Sequence, residues 1–195
     1  PWYTGPALMS LLENIEVQRT INRDDFRFPV QYVNRPNLDF RGFAGTVVSG
    51  NIAIGDAVTT LPSGKSSTVK SIVTFTGEQP SAAAQAAITL TLNDEIDISR
   101  GDMIVKSDNL PLHGAQFSTH LVWMDESALI PNKQYSFKFA TQTVTGAVSN
   151  IDYLIDVNTL EHGDAVHMQL NEIARVGIKL TQPVACDAYT RNRQT

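Results

Sequence analysis

The tripeptide Gly64-Lys65-Ser66 has the residue types that end a phosphate-binding loop, in which backbone N–H groups and a lysine hold a nucleotide. Such a loop needs a glycine five residues before the Gly-Lys pair, and this chain has Thr59 there. The guanine-reading motif Asn-Lys-x-Asp is missing as well, since Asn132-Lys133 is followed by Gln134-Tyr135. The sequence therefore predicts that this chain does not bind GTP.

The histidines, the single cysteine and the acidic clusters form no recognisable catalytic or metal-ligating pattern. The histidines show neither an i, i+4 helical pair nor an alternate-residue strand pair; they are His113, His120, His162 and His167. Cys186 allows neither an internal disulfide nor a cysteine-based zinc site, and we interpret it as a small buried residue near a strand end. Asp94-Glu95-Ile96-Asp97 lacks the alternating acids and the glycine of a calcium loop and predicts a solvated turn. We therefore predict no catalytic, cofactor-binding or metal-binding residue.

Basic and aromatic residues alternate between positions 26 and 43, a pattern that can bind single-stranded nucleic acid. They are Arg27, Arg35 and Arg41 with Phe28, Tyr32, Phe40 and Phe43. The alternative is that the aromatic residues fill a barrel while the arginines pair with carboxylates or face a neighbouring domain. The net charge of −5 favours this alternative.

The loop that carries Asn34-Arg35-Pro36-Asn37 is more polar than the filling of a barrel requires. Because loops on rigid scaffolds often carry function, we expect Arg35, Asn37 and Arg41 to contact another domain or a partner protein.

The elements that must position these residues are one helix followed by strands. Ala7, Leu8, Leu11, Leu12 and Ile15 recur at helical spacing after Gly5-Pro6, and the pattern fades at Arg19. Strands are then predicted at intervals of roughly ten residues. In a first series they are Phe28–Val33, Gly45–Ile52, Ala57–Leu61, Thr68–Phe75, Ile88–Leu92 and Met103–Lys106. Gly50 inside the second of them indicates a bulge or a tight barrel corner.

A second series of strands begins after Ser107-Asp108-Asn109-Leu110-Pro111. Its predicted strands are Gln116–Trp123, Gln134–Ala140, Gln142–Asn150, Ile151–Val157, Asp164–Leu170 and Ala174–Leu180. The predicted fold class is therefore all-β, with two tandem six-stranded antiparallel barrels and a short N-terminal helix. The predicted boundaries are 1–22 for the helix and linker, 23–108 for the first barrel and 109–195 for the second.

Size and composition are those of an ordinary soluble protein, with 195 residues of which 42% are apolar and 18% charged. No apolar run approaches the length of about 20 residues that a membrane helix needs, and the N-terminus has no signal pattern. With only one cysteine, a cytoplasmic location is the simplest interpretation. The first residue is Pro1 rather than methionine, from which we expect a piece of a longer protein.

Two segments resemble the second domain of elongation factor Tu and its relatives: residues 41–50 with Ile54-Gly55-Asp56, and Ile98-Ser99-Arg100-Gly101-Asp102. Four segments give a more specific resemblance: the flanking residues 28–42 and 94–102, Leu121-Val122-Trp123-Met124 and the opening Trp2-Tyr3-x-Gly5-Pro6. They are similar to the large, GTP-binding subunit of bacterial heterodimeric sulfate adenylyltransferase, and the resemblance spans essentially the whole chain.

This resemblance implies two barrels like domains two and three of elongation factor Tu. It also implies a parent reaction in which ATP and sulfate give adenylyl sulfate and pyrophosphate on a small subunit, driven by GTP hydrolysis on the large one. GTP and Mg²⁺ are expected on a GTPase domain upstream of Pro1, and the partners are that domain and the small adenylyl-transferring subunit, with no membrane. In the family the chain continues past Thr195 into another strand, so we expect the second barrel to lack its last strand. The alternative function is that of the tRNA-binding barrels of a translational GTPase, which the flanks and the acidic balance oppose.

Overall fold

A computed structural model describes residues 3–14, 22–37 and 40–195. The predicted helix is present as α1, Leu8–Asn14, and Ile15 and Arg19 of its predicted extent lie outside the described residues. None of the α1 residues is buried, although Leu8, Met9, Leu11 and Leu12 are all apolar. Among the described residues, no helix is long and apolar enough to cross a membrane.

In the described part of the first domain there are nine strands, and their residues supply a shared hydrophobic core. They are β1 Arg27–Asn34, β2 Gly42–Thr46, β3 Asn51–Ala53, β4 Ala57–Leu61, β5 Ser66–Thr74, β6 Gly77–Glu78, β7 Ser81–Ala83, β8 Ala87–Leu92 and β9 Met103–Lys106. Six of them pair in the order β4-β9-β1-β2-β8-β5, and β5 pairs again with β4, so that the ring closes. Strand β6 extends β5, while β3 and β7 form a separate ribbon. All of the pairings in the ring are antiparallel.

The core of this ring is filled by aromatic and aliphatic side chains, most of them from the strands. Phe26, Phe28, Ile72 and Leu90 have no exposed surface, and the rings of Phe26 and Phe28 stack with centroids 6.3 Å apart. Each such side chain contributes roughly 1.5–3 kcal/mol by its burial.

The strand predicted over Gly45–Ile52 is interrupted in the structure. Strand β2 ends at Thr46 and β3 begins at Asn51, because Gly50 bends the chain with a φ of +71°. The tight corner that the sequence indicated at Gly50 is therefore present, and it divides the predicted strand in two.

The second domain contains five strands: β10 Leu112–Val122, β11 Gln134–Phe139, β12 Gln142–Ile155, β13 His162–Gly163 and β14 Ile173–Cys186. Their order is β10-β14-β12-β11, with β13 added to β12. The sheet curls so that the Phe117 ring on β10 lies 6.2 Å from the Phe139 ring on β11. In the described part of the chain, however, no backbone pairing joins β10 to β11, so both strands remain edges of the sheet.

Two predictions for this domain were wrong in detail. The strands predicted over Gln142–Asn150 and Ile151–Val157 are one continuous strand, β12, whose register against β14 shifts between Val148 and Asn150. The strand predicted over Asp164–Leu170 is reduced to a single bridge between Met168 and Leu129. Pro131 follows Leu129 two residues on and has no N–H to extend the pairing. With two predicted strands merged, one reduced to a bridge and the short β13 added, the second domain has five strands rather than six.

Candidate interdomain interface

The segment after β14 returns to the first domain and places charged side chains on the entrance to β1. Arg27, the first residue of β1, is 2% exposed, and the side chain of its partner Asp187 is 5% exposed. The Arg27 Nε donates to Asp187 Oδ2 at 2.9 Å and its Nη2 donates to Asp187 Oδ1 at 3.0 Å. This is the two-pronged geometry in which a guanidinium binds a carboxylate most strongly.

The remaining donors of Arg27 are also satisfied, which a buried guanidinium requires. Its Nη1 donates to the backbone carbonyls of Phe26 and Asn109, each at 2.9 Å, and its Nη2 donates to Asn109 Oδ1 at 3.1 Å. Asn109 belongs to the connection between the two domains, so Arg27 contacts both the connection and the C-terminal segment.

Asp25 forms a second buried charge two residues before Arg27, with 0% of its surface exposed. Its carboxylate accepts hydrogen bonds of 2.6 Å from Asn22 Nδ2, Asn109 Nδ2 and Arg191 Nε. Burial alone would raise the pKa of Asp25, but these hydrogen bonds and the charge of Arg191 outweigh it, so that the pKa lies below its usual range. Asp25 is therefore held as an anion.

The backbone of Asp25 is held from the same segment. Ser49 Oγ donates to the Asp25 carbonyl oxygen at 2.6 Å, and Asn192 Nδ2 donates to Ser49 Oγ at 2.9 Å. Ser49 and Asn192 are both buried. The three residues therefore continue the polar contact between the domains.

An apolar contact lies beside the polar cluster. Leu61, Met103 and Val105 of the first domain are buried, and Ala185 of β14 packs against them. The next residue, Cys186, ends β14 and is buried, as predicted. Burial, followed by the neighbouring charge of Asp187, raises the pKa of the Cys186 thiol, which keeps it protonated and unreactive at neutral pH.

Of the three residues predicted to contact a partner, Arg41 is turned towards its own domain. Its Nη2 lies 2.9 Å from Asp97 Oδ1, and its guanidinium carbon is 5.7 Å from the centre of the Phe43 ring. Its Nε is buried without a hydrogen-bond partner. Arg41 also lines an open cleft of about 520 Å³ together with Lys70 and Glu95.

Arg35 and Asn37 follow β1 on an exposed loop, in which Asn37 Oδ1 accepts from the backbone N–H of Phe40 at 2.9 Å. That these three residues contact a partner remains a prediction. The pairing of Arg27 and Arg41 with carboxylates, however, agrees with the alternative that the composition favoured.

The tripeptide Gly64-Lys65-Ser66 lies in the turn between antiparallel strands β4 and β5, as the spacing predicted. A phosphate-binding loop joins a strand to a helix, so this turn has a different backbone context. Within the described ranges, no three His, Cys, Asp or Glu side chains are grouped so that they could hold a metal ion.

Comparison with known proteins identifies relatives along the whole chain. Residues 116–195 match the family described as GTP-eEF1A C-terminal domain-like. Over 195 residues the chain is 68% identical to sulfate adenylyltransferase subunit 1 of Alteromonas mediterranea and 65% identical to that of Pseudoalteromonas atlantica. It covers 41% and 42% of those two proteins. It is also 52% identical over 195 residues to the bifunctional enzyme CysN/CysC of Rhodopirellula baltica, of which it covers 30%.

Solved structures agree on the fold. Sup35 complexed with GDP is similar with a TM-score of 0.78 at 16% identity, over 100% of this chain and 48% of that protein. The apo form of translation elongation factor SelB from Methanococcus maripaludis is similar with a TM-score of 0.70 at 18% identity, over 92% of this chain and 40% of that protein. The all-β fold like that of elongation factor Tu is thus confirmed, and so is the predicted resemblance to the large subunit of sulfate adenylyltransferase.

Proposed function

We propose that this chain, which matches sulfate adenylyltransferase subunit 1 over its full length, acts as a non-catalytic barrel module of such a subunit. The parent reaction would convert ATP and sulfate to adenylyl sulfate and pyrophosphate, with GTP hydrolysis as its driving reaction. The observation that carries the proposal is the 68% identity over all 195 residues. Because the chain spans less than half of those relatives, the module would act together with parts of the protein that lie outside it.

The interdomain interface supports a mechanical role for the module. Two domains joined by a buried arginine–carboxylate pair and an apolar contact would move as one body in this proposal. Rigid-body rotation of a domain pair is one of the ways in which a change at one site is passed to another. In this proposal GTP and Mg²⁺ bind to a separate GTPase domain, and the barrels pass its nucleotide state to the adenylyl-transferring subunit.

The proposal is tested by a chimera in which this chain replaces the matching segment of the Alteromonas mediterranea subunit 1. We expect the chimera to retain GTP-dependent synthesis of adenylyl sulfate when it is combined with its companion subunit. A chimera that folds and hydrolyses GTP but gives no stimulated synthesis would contradict the proposed function. GTP turnover by the isolated chain, abolished by Lys65→Ala, would contradict its non-catalytic nature.

Arg41 offers a test of the coupling itself in the same chimera. We expect Arg41→Ala to lower GTP-stimulated synthesis more than it lowers the melting temperature, because Arg41 lines an open cleft at the surface. Asp97→Ala is the matched control, since it breaks the same ion pair but leaves the guanidinium in place. Equal effects of the two variants would show that Arg41 only supports the barrel.

A further inference from the structure

One end of the second domain exposes a group of large apolar side chains. We call this group the apolar tip. Its members, with their exposed fractions, are Met124 79%, Val157 61%, Leu160 72%, Val166 80% and Leu170 45%. A soluble protein rarely exposes so many large apolar side chains in one place unless they form an interaction site.

Backbone hydrogen bonds hold the segments of the apolar tip side by side. Strand β13 pairs with the end of β12, which brings the loop between them back on itself. The Trp123 N–H donates to the Glu172 carbonyl at 3.0 Å, and the Asn171 N–H donates to the Trp123 carbonyl at 2.7 Å. Met124 therefore lies next to the segment that carries Leu170.

The loop that presents Leu160 has a defined conformation. Asp156 Oδ1 accepts from the backbone N–H groups of Asn158 and Thr159 at 2.7 and 2.9 Å, and these two bonds hold the pKa of Asp156 below its usual range. The Leu160 N–H donates to the Asp156 carbonyl at 2.8 Å, and Leu160 has a φ of +62°. A leucine in this strained region is uncommon and tends to occur at functional sites.

Two adjoining open clefts of about 430 and 490 Å³ lie within the apolar tip and share Leu154 and Glu172. Val166 lines the first cleft and Val157 the second. The carboxylates that line them are Asp156, Glu161, Asp164 and Glu172, whereas none of the described residues lining either cleft is Lys or Arg. Apolar side chains and carboxylates thus line the same surface, and we call these four carboxylates its acidic rim.

We propose that the apolar tip is the surface on which the companion subunit of sulfate adenylyltransferase docks, through an apolar patch surrounded by Lys and Arg side chains. This assignment rests on the proposed function, and the name of the relatives as subunit 1 supplies the second chain. Apolar anchors at the centre of an interface supply affinity, while the complementary charges around them fix orientation and speed association.

A second copy of this chain fits the apolar tip less well than such a partner. A symmetric pair of copies would place the same surface on both sides of the contact. The four rim carboxylates would then face their own copies, and like charges brought together oppose association.

The test measures binding of the 195-residue chain to the purified companion subunit from Alteromonas mediterranea by isothermal titration calorimetry. We expect Leu160→Lys and Val166→Lys to weaken binding by about tenfold or more each, because both place a cation against the expected basic rim. Phe75→Lys is the matched control, since Phe75 is as exposed as a residue can be but lies in the turn after β5 of the first domain. It should bind as the wild type does.

The charge of the rim is tested separately. Added salt should weaken the binding of the wild-type chain more than it weakens the binding of the double variant Glu161→Lys/Asp164→Lys. The assignment would be overturned if the Leu160 and Val166 variants bound with unchanged affinity, or if the wild-type chain did not bind. It would also be overturned if the wild-type chain self-associated and these variants did not. If the chimera described above is active while these outcomes occur, the proposed function stands and only the docking surface is wrong. An inactive but folded chimera would instead contradict the function.

Discussion

Asp25 and Arg27 stand two residues apart at the start of β1, carry opposite charges and are each at most 2% exposed. Their partners differ in exposure: the side chain of Asp187 is 5% exposed, whereas that of Arg191 is 65% exposed. Removing an ion from water costs several kcal/mol, which a fully buried partner with good geometry can offset. The pair of Arg27 with Asp187 therefore holds the interface, and the pair of Asp25 with Arg191 depends more on the neighbouring hydrogen bonds.

The low pKa of Asp25 predicts a pH-dependent contribution to stability. Its ionised form stabilises the folded chain above the unfolded-state pKa of about 3.9, and this contribution is lost as the pH falls through the lower folded-state value. We expect the difference in unfolding free energy between wild type and Asp25→Asn to shrink as the pH falls from about 6 to about 3. Urea denaturation at each pH measures this difference.

Asp102 should change stability with pH in the direction opposite to that of Asp25. Burial, and then the charge of Asp97, raise the pKa of Asp102, so its contribution to stability is present at low pH and is lost as the pH rises through the folded-state value. The advantage of wild type over Asp102→Asn should therefore grow as the pH falls. Parallel behaviour of Asp25→Asn and Asp102→Asn would contradict one of the two assignments, and the direction of the change would show which.

The residue types predicted that arginines pair with carboxylates here, but they did not predict which residues form each pair. The net charge of −5 favoured the alternative in which the arginines pair with carboxylates or face a neighbouring domain, and Arg27 does both. The sequence could not name Asp187 as the partner of Arg27, because 160 residues separate the two and no local spacing relates them. The same holds for Asp25 and Arg191, which are 166 residues apart.

At the scale of the strands and turns, comparing Gly50 with Gly64 separates the cost of a strained backbone from the cost of steric crowding. Both have a φ of +71°, but a Cβ at Gly50 would lie 2.5 Å from Phe26 Cα, whereas none of the atoms around Gly64 lies within 4 Å. Gly64→Ala should cost about 1–2 kcal/mol of unfolding free energy for the left-handed conformation alone. Gly50→Ala should cost about 1–3 kcal/mol more, because the start of β1 must move. Equal losses for the two variants in chemical denaturation would show that the corner at Gly50 is not tightly packed.

At the same level, short strands between clear turn residues were predictable, and interruptions of a predicted strand were not. Ala57–Leu61 and Met103–Lys106 have the predicted bounds, since each lies between clear turn residues. Asp164–Leu170 alternates between polar and apolar residues, yet only Met168 of that segment is buried. A strand needs a partner of matching length, and the alternation in one segment does not tell whether such a partner exists.

The two domains are joined by more than their connecting segment. The last residues of the chain lie against β1, so that Arg27 of the first domain contacts both Asp187 of the second domain and Asn109 of the connection. Because the contact combines this polar cluster with the apolar group around Leu61 and Met103, separating the domains would expose both charges and apolar surface. The domains should therefore be coupled in their stability as well as in their movement.

Calorimetry of unfolding tests this coupling in the whole molecule. For the wild-type chain we expect one transition, with a calorimetric enthalpy equal to the van't Hoff enthalpy. Asp187→Ala leaves Arg27 buried without its carboxylate, so it should cost about 3–5 kcal/mol and divide the unfolding into two transitions. Asp97→Ala, which removes an acid that is 89% exposed, should cost at most about 1 kcal/mol and keep the single transition. Two transitions in the wild type, or an Asp187→Ala chain that unfolds like Asp97→Ala, would show that the buried pair does not hold the two domains together as one unit.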